Sequence, residues 1–132
     1  MTFVDTSAIY AVLDRNDANH EAARISWFAL IDSDDPLFTT NYILVESCAL
    51  AQNRLGLDAV RTIQEELVPV MDIVWVDEAT HSLAMTALLA AQRRKLSLVD
   101  CVSFAVMRMK GSRVAFAFDQ HFVEERFLFP AR

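Results

Sequence analysis

The chain is poor in glycine, cysteine, proline and basic charge, and each shortage excludes something. Of its 132 residues two are glycine, Gly56 and Gly111, standing 55 positions apart. A loop that cradles the phosphates of a dinucleotide or a nucleoside triphosphate needs several glycines within one turn, so neither cofactor class fits. Cys48 and Cys101 have no CxxC spacing, and His20, His81 and His121 are scattered, so no zinc-site pattern is present. Both cysteines lie in apolar runs, which predicts reduced core thiols of a cytoplasmic protein rather than a disulfide. The prolines, Pro36, Pro69 and Pro130, are dispersed and mark no linker, and no repeat or low-complexity segment interrupts the chain. The longest uncharged stretch, Ala79 to Gln92, has 14 residues and includes polar ones, too few and too polar to span a bilayer. Asp5 arrives too early for a signal peptide. The expected protein is soluble, without a membrane partner. Twelve basic side chains against 18 acidic ones give a formal charge of −6, the wrong sign for adhesion to nucleic acid through a basic face.

Apolar residues, by contrast, make up 54% of the sequence. A chain of this length folded as one domain, residues 1–132, buries roughly two-thirds of the surface it would expose unfolded. Short apolar runs with little polar alternation predict strands at Thr2 to Val4, Leu37 to Thr39, Ile73 to Val76 and Arg113 to Phe118, and a terminal one at Phe127 to Phe129. Helical periodicity covers Ser7 to Leu13, Asn19 to Ile31, Tyr42 to Arg54, Asp58 to Leu67, Glu78 to Arg94 and Leu98 to Met109. Strands buried on both faces and separated by helices predict an α/β fold, a central mainly parallel sheet flanked by helices. Ligands of open parallel sheets bind beyond the carboxyl ends of the strands. Asp5 follows the first predicted strand and Asp119 follows Arg113 to Phe118, so parallel strands would bring both to one edge.

Asp5 and Asp119 each have a second reading as the cap of a following helix, and Ser97-Leu98-Val99-Asp100 fits a capping box. Glu46 is different. Helical spacing places it on a face with Tyr42, Ile43, Ala49 and Leu50, which predicts burial, and no basic residue lies one turn away. A buried carboxylate must be protonated, paired or open to a cleft. Should the four acids converge, each pair about 5 Å apart would repel by ~3 kcal/mol at an effective dielectric of 20, and six such pairs would exceed a domain's whole stability of about 5–15 kcal/mol. A divalent cation relieves that repulsion, and an all-oxygen donor set selects Mg²⁺ or Mn²⁺. Such a centre suits hydrolysis of phosphodiesters by activated water.

Phe3-Val4-Asp5-Thr6-Ser7-Ala8, Val45-Glu46, Leu96-Ser97-Leu98-Val99-Asp100-Cys101 and Phe118-Asp119-Gln120-His121-Phe122, in this order and spread over essentially the whole chain, resemble the PIN-domain ribonucleases, especially the VapC-type toxins of toxin-antitoxin pairs. The resemblance implies a PIN-like fold and Mg²⁺- or Mn²⁺-dependent endonucleolytic cleavage of RNA. It implies Asp5, Glu46, Asp100 and Asp119 as catalytic and metal-binding acids, with Asp5 and Asp100 foremost and Asp119 orienting water or a second ion. Thr6 would be an auxiliary hydroxyl positioning water or phosphate, and Phe122 packing support. It also implies a homodimer and a cognate antitoxin that covers the pocket in a hetero-oligomer.

Other features have plainer explanations. Arg93, Arg94 and Lys95, and Arg108, Lys110 and Arg113, follow predicted helices, where cations favour the negative end of the dipole, and Gly111 is a helix C-cap; these readings are preferred to contact with RNA. Arg15 is a comparable candidate for that contact. Trp27, Phe28 and Trp75 are expected in the core or on a partner surface, and His121 is read as structural or exposed rather than as an acid or base. A phosphatase with an aspartyl nucleophile would want an Asp where Ser7 stands, and a receiver domain wants a lysine after a late strand, whereas the lysines are Lys95 and Lys110. The remaining alternative is a catalytically silent PIN-like module binding a basic peptide or RNA. Without the four acids the formal charge would be −2, so most of the acidity belongs to the proposed site and does not argue against RNA.

Overall fold

The computed structural model describes residues 1–130. Four short strands form one sheet: β1 (Thr2–Val4), β2 (Leu37–Thr40), β3 (Asp72–Val74) and β4 (Val114–Phe116), in the order β3-β2-β1-β4. Every pairing is parallel, with Phe3 opposite Phe38 and Ala115 and with Thr39 opposite Ile73. Parallel neighbours require crossovers, and helices supply them: α1 (Thr6–Leu13), α2 (His20–Asp32), α3 (Asn41–Leu55), α4 (Leu57–Thr62), α5 (Glu78–Ala91), α6 (Leu98–Lys110) and the short α7 (Gln120–Glu124). The α/β class and the parallel sheet flanked by helices agree with the sequence reading.

The central strands β1 and β2 are wholly buried, which is why their sequence shows no alternation. Phe3 is the hub of the aromatic core, meeting Phe38 edge-on at 5.4 Å and Phe122 at 6.2 Å between ring centroids. Phe122 also meets Phe104 at 5.1 Å, which pins α7 onto α6 and β1; its place as packing support is therefore correct. Trp27 is buried and stacks on Phe116, whereas Phe28 and Trp75 are exposed. Cys48 and Cys101 are free thiols, and burial pushes the pKa of both up.

Several boundaries differ from expectation. The helix expected over Asp58 to Leu67 divides into α4, a π-helical turn at Ile63–Leu67 and a 3₁₀ turn at Val68–Val70. Pro69 has no N–H to give to the carbonyl of Glu65, so α-helical bonding cannot continue there. The helix from Glu78 ends at Ala91, because Gln92 adopts the left-handed conformation at φ 52°. The terminal strand reduces to one parallel bridge, Leu128 to Val114.

Candidate metal centre

Three of the four acids reach one edge of the sheet through the chain path alone. β1 ends at Val4, and the N–H of Asp5 still donates to the carbonyl of Phe116 on β4 at 3.0 Å. Asp5 then caps α1, its Oδ2 accepting from Ser7 N at 3.0 Å and from Ser7 Oγ at 2.6 Å. β4 is shorter than the predicted Arg113 to Phe118, so Asp119 does not directly follow it. Phe118 has left the ladder because its N–H is taken by Ser7 Oγ at 2.9 Å. Asp119 caps α7 by accepting from His121 N at 2.9 Å on Oδ1. Asp100 lies in the first turn of α6, where a reciprocal capping box holds it: Ser97 N donates to Asp100 Oδ2 at 3.1 Å, and Asp100 N donates to Ser97 Oγ at 3.0 Å.

Capping and ligand binding are therefore not alternatives here. Each acid fastens one oxygen to a backbone N–H and leaves the other, Asp5 Oδ1, Asp100 Oδ1 and Asp119 Oδ2, with no hydrogen bond among the described residues. No fully enclosed side-chain polar atom among those residues lacks a partner, so none of the three free oxygens is fully enclosed, although Asp5 is a buried residue. Rigidly held carboxylates with open second oxygens are what a hard cation requires.

The electrostatics fit the same picture. Burial pushes the Asp5 carboxyl from 3.8 up to about 7; the Ser7 hydroxyl and amide pull it back, and the charges of Asp100 and Asp119 push it further up. The charges of Asp100 and Asp119 thus act on Asp5. Ligand atoms of Asp100, Asp119 and His121 lie within 4.8 Å of one another. His121, set aside on sequence grounds, has Nδ1 3.1 Å from Asp100 Oδ2 and 3.3 Å from Asp119 Oδ1. The spacing Asp119-x-His121 was the available signal, since an Asp that caps with the N–H two residues on also brings that residue's side chain close.

Glu46 stands apart from this group. The buried face of α3 is Ile43, Ser47 and Ala51, while Glu46 is half-buried and Ala49 exposed, which corrects the face predicted from spacing. Glu46 borders a cleft of about 340 Å³ with Asn41, Tyr42, Val45 and Val99, the last of which adjoins Asp100. Its neighbour Ser47 donates from Oγ to Thr6 Oγ1 at 3.2 Å. The hydroxyl of Thr6, the residue after Asp5, thus joins the first turn of α1 to the helix carrying Glu46.

Two of the basic side chains weighed for RNA contact are engaged elsewhere. Arg93 pairs with Glu124, and Arg108 pairs with Glu125 at 2.8 Å while lying over Phe127. Arg15, Arg94, Lys95, Lys110 and Arg113 form no ion pair among the described residues. Gly111 ends α6 in the left-handed conformation at φ 70°, as a C-cap should.

Comparison with known proteins agrees with this fold. The PIN domain profile matches residues 2–127. The 23S rRNA-specific endonuclease VapC20 of Mycobacterium tuberculosis is 34% identical over 125 residues, 92% of each chain. The crystal structure of Mycobacterium tuberculosis VapC20, described as a sarcin-ricin loop cleaving toxin, superposes with a TM-score of 0.88 at 32% identity over 97% of both chains. FitAcB from Neisseria gonorrhoeae shares the fold at a TM-score of 0.68 and 12% identity, covering 99% of this chain and 97% of the other. With the strand order, the acids at the sheet edge and this match in hand, the chain belongs to the PIN-domain family and is of the VapC type.

Proposed function

We propose that this protein is a metal-dependent endoribonuclease, the toxin of a toxin-antitoxin pair. The observation that carries the reading is the grouping of Asp100 and Asp119, with His121, within 4.8 Å of one another, near enough to Asp5 at the end of β1 for the charges of both acids to act on it. Mg²⁺ or Mn²⁺, bound there, would neutralise the clustered charge and supply activated water for attack on phosphorus. Asp5 and Asp100 are the principal ligands in this reading. Asp119 orients water or a second ion, and Glu46 approaches from the wall of the adjoining cleft. Thr6 supports the site by tying α1 to α3, its Oγ1 accepting from Ser47 Oγ, and its own hydroxyl proton is left to position water or phosphate.

The similarity to VapC20 makes 23S rRNA the first substrate to test. Phosphate contact falls to the cations without an ion pair, such as Arg94, Lys95 and Lys110. A cognate antitoxin and a second copy of the chain are the proposed partners, in a homodimer or a larger hetero-oligomer. Uncovered apolar side chains support both: Leu83 and Met109 border a cleft between α5 and α6, and Trp75, 75% exposed, borders the next. No helix among the described residues is long and apolar enough to cross a membrane, and the proposed site of action is cytoplasmic RNA. Incubating the protein with ribosomal RNA in Mg²⁺, Mn²⁺ or EDTA tests the reading. Cation-dependent cleavage supports it, whereas binding of RNA or of a basic antitoxin peptide without turnover leaves the silent-module alternative.

A further inference from the structure

His121 is the one group among the described residues that touches two of the site acids, and the manner of contact is specific. Its Nδ1 approaches Asp100 Oδ2 at 3.1 Å and Asp119 Oδ1 at 3.3 Å. These are the oxygens that backbone N–H groups already hold, Ser97 N on Asp100 Oδ2 and His121 N on Asp119 Oδ1. The open oxygens are the other two. Both contacted oxygens act as acceptors toward those amides, so the nitrogen facing them carries the proton. The ring is half-buried and α7 is anchored through fully buried Phe122, which fixes the direction in which Nδ1 points.

We infer that His121 is a positioning residue of the metal centre: its Nδ1–H donates to the protein-side oxygen of Asp100 while standing 3.3 Å from that of Asp119, a bridge that turns their outer oxygens toward the cation without Nδ1 itself being a ligand. The inference rests on the metal-site reading above and adds a residue to it. Nδ1, whose proton is committed to the closed oxygens, is not available to an ion, so the ring could ligate only through Nε2, which spin resonance of the Mn²⁺-loaded protein distinguishes. The physical effect is twofold. The bridge offsets repulsion between two adjacent carboxylates before an ion arrives, and it removes rotational freedom that binding would otherwise have to suppress. Hydrogen-bond donors behind metal ligands commonly account for about 10- to 100-fold in metal affinity.

The substitutions separate donor from ligand and from scaffold. An asparagine places its side-chain N–H near the position of the imidazole Nδ1, so His121→Asn should retain the bridge, whereas His121→Ala removes it. Full-length wild type and both variants are titrated with Mn²⁺ alone and Mg²⁺ alone by calorimetry, with thermal melts in EDTA as the control for folding. The expected result is affinity about 10- to 100-fold lower for His121→Ala, near wild type for His121→Asn, and cooperative melting in all three. Pulsed electron paramagnetic resonance of the Mn²⁺-loaded wild type should show no nitrogen in direct coordination. Equal affinity of His121→Ala and wild type overturns the inference alone, as does a directly coordinated imidazole nitrogen. A wild type that takes up neither ion removes the metal-site reading itself.

Discussion

Replacing Asp5 with asparagine should stabilise the metal-free protein, and by an amount that depends on pH in a predictable direction. In the folded protein the Asp5 carboxyl titrates at about 7, against 3.8 when unperturbed, chiefly because it is desolvated and further because Asp100 and Asp119 repel its charge. Below about pH 4 both states hold the proton and the residue contributes no pH-dependent term. Between about pH 4 and pH 7 the unfolded chain loses the proton while the folded one retains it, so stability declines as pH rises. Above about pH 7 the penalty is complete. A difference of about three units, at 1.36 kcal/mol per unit, sets its order at ~4 kcal/mol. The asparagine side chain would keep an acceptor for the Ser7 amide and hydroxyl but cannot ionise, so the variant escapes the penalty. Urea unfolding in EDTA across this range should give a gap between Asp5→Asn and wild type that is near zero at acid pH and grows to a few kcal/mol at about pH 8. Saturating Mg²⁺ or Mn²⁺ should narrow it, because an ion at a hundredfold excess over its dissociation constant stabilises the protein that binds it by about 2.7 kcal/mol. A gap that is flat with pH would refute the claim that Asp5 is held in a desolvated, like-charged site.

Ser7 should prove as important to the site as its acids, because its Oγ donates to Asp5 and accepts from Phe118 N, joining the two chain segments that carry Asp5 and Asp119. Ser7→Ala removes a hydrogen bond that lowers the Asp5 pKa, so the acid limb of the pH–rate profile should move to higher pH, while Ser7→Thr should hold it nearer wild type; an unmoved limb in Ser7→Ala would count against the bridge. The two glycines should respond unequally to alanine although nothing lies within 4 Å of a Cβ added at either. Gly111 at φ 70°, ψ 20° is left-handed helical and should cost about 1–2 kcal/mol, whereas Gly56 at φ 99°, ψ −178° occupies a region essentially reserved for glycine and should cost up to about 3 kcal/mol. Denaturant midpoints of the two variants give the comparison, and equal losses would speak against backbone strain as the cause.

The strands and most helices were legible because burial on both faces leaves unbroken apolar runs, as in Thr2–Val4 and Leu37–Thr40. The π turn at Ile63–Leu67 was not, since the apolar pattern of Asp58 to Leu67 is compatible with either hydrogen-bond register and only the chain geometry decides. At the site, the acids that close secondary-structure elements could be placed on one edge by topology. The burial expected for Glu46 was misjudged because spacing groups residues on a face without saying which stripe of that face docks; α3 turns Ile43, Ser47 and Ala51 inward. Ser7 escaped notice, and His121 was set aside, for a different reason. Each acts through a contact across the fold, with Phe118 and with Asp100 respectively, and such a contact leaves no local periodic trace.

The most direct test of the central claim is cleavage of 23S rRNA by purified wild type and Asp100→Asn, read by sequencing the RNA ends in Mg²⁺, Mn²⁺ and EDTA. Wild type should produce discrete ends with either ion and none in EDTA, and Asp100→Asn, folded by its thermal melt, should produce none under any condition. Cleavage by Asp100→Asn at the wild-type rate, or wild-type cleavage that persists in EDTA, would contradict the account.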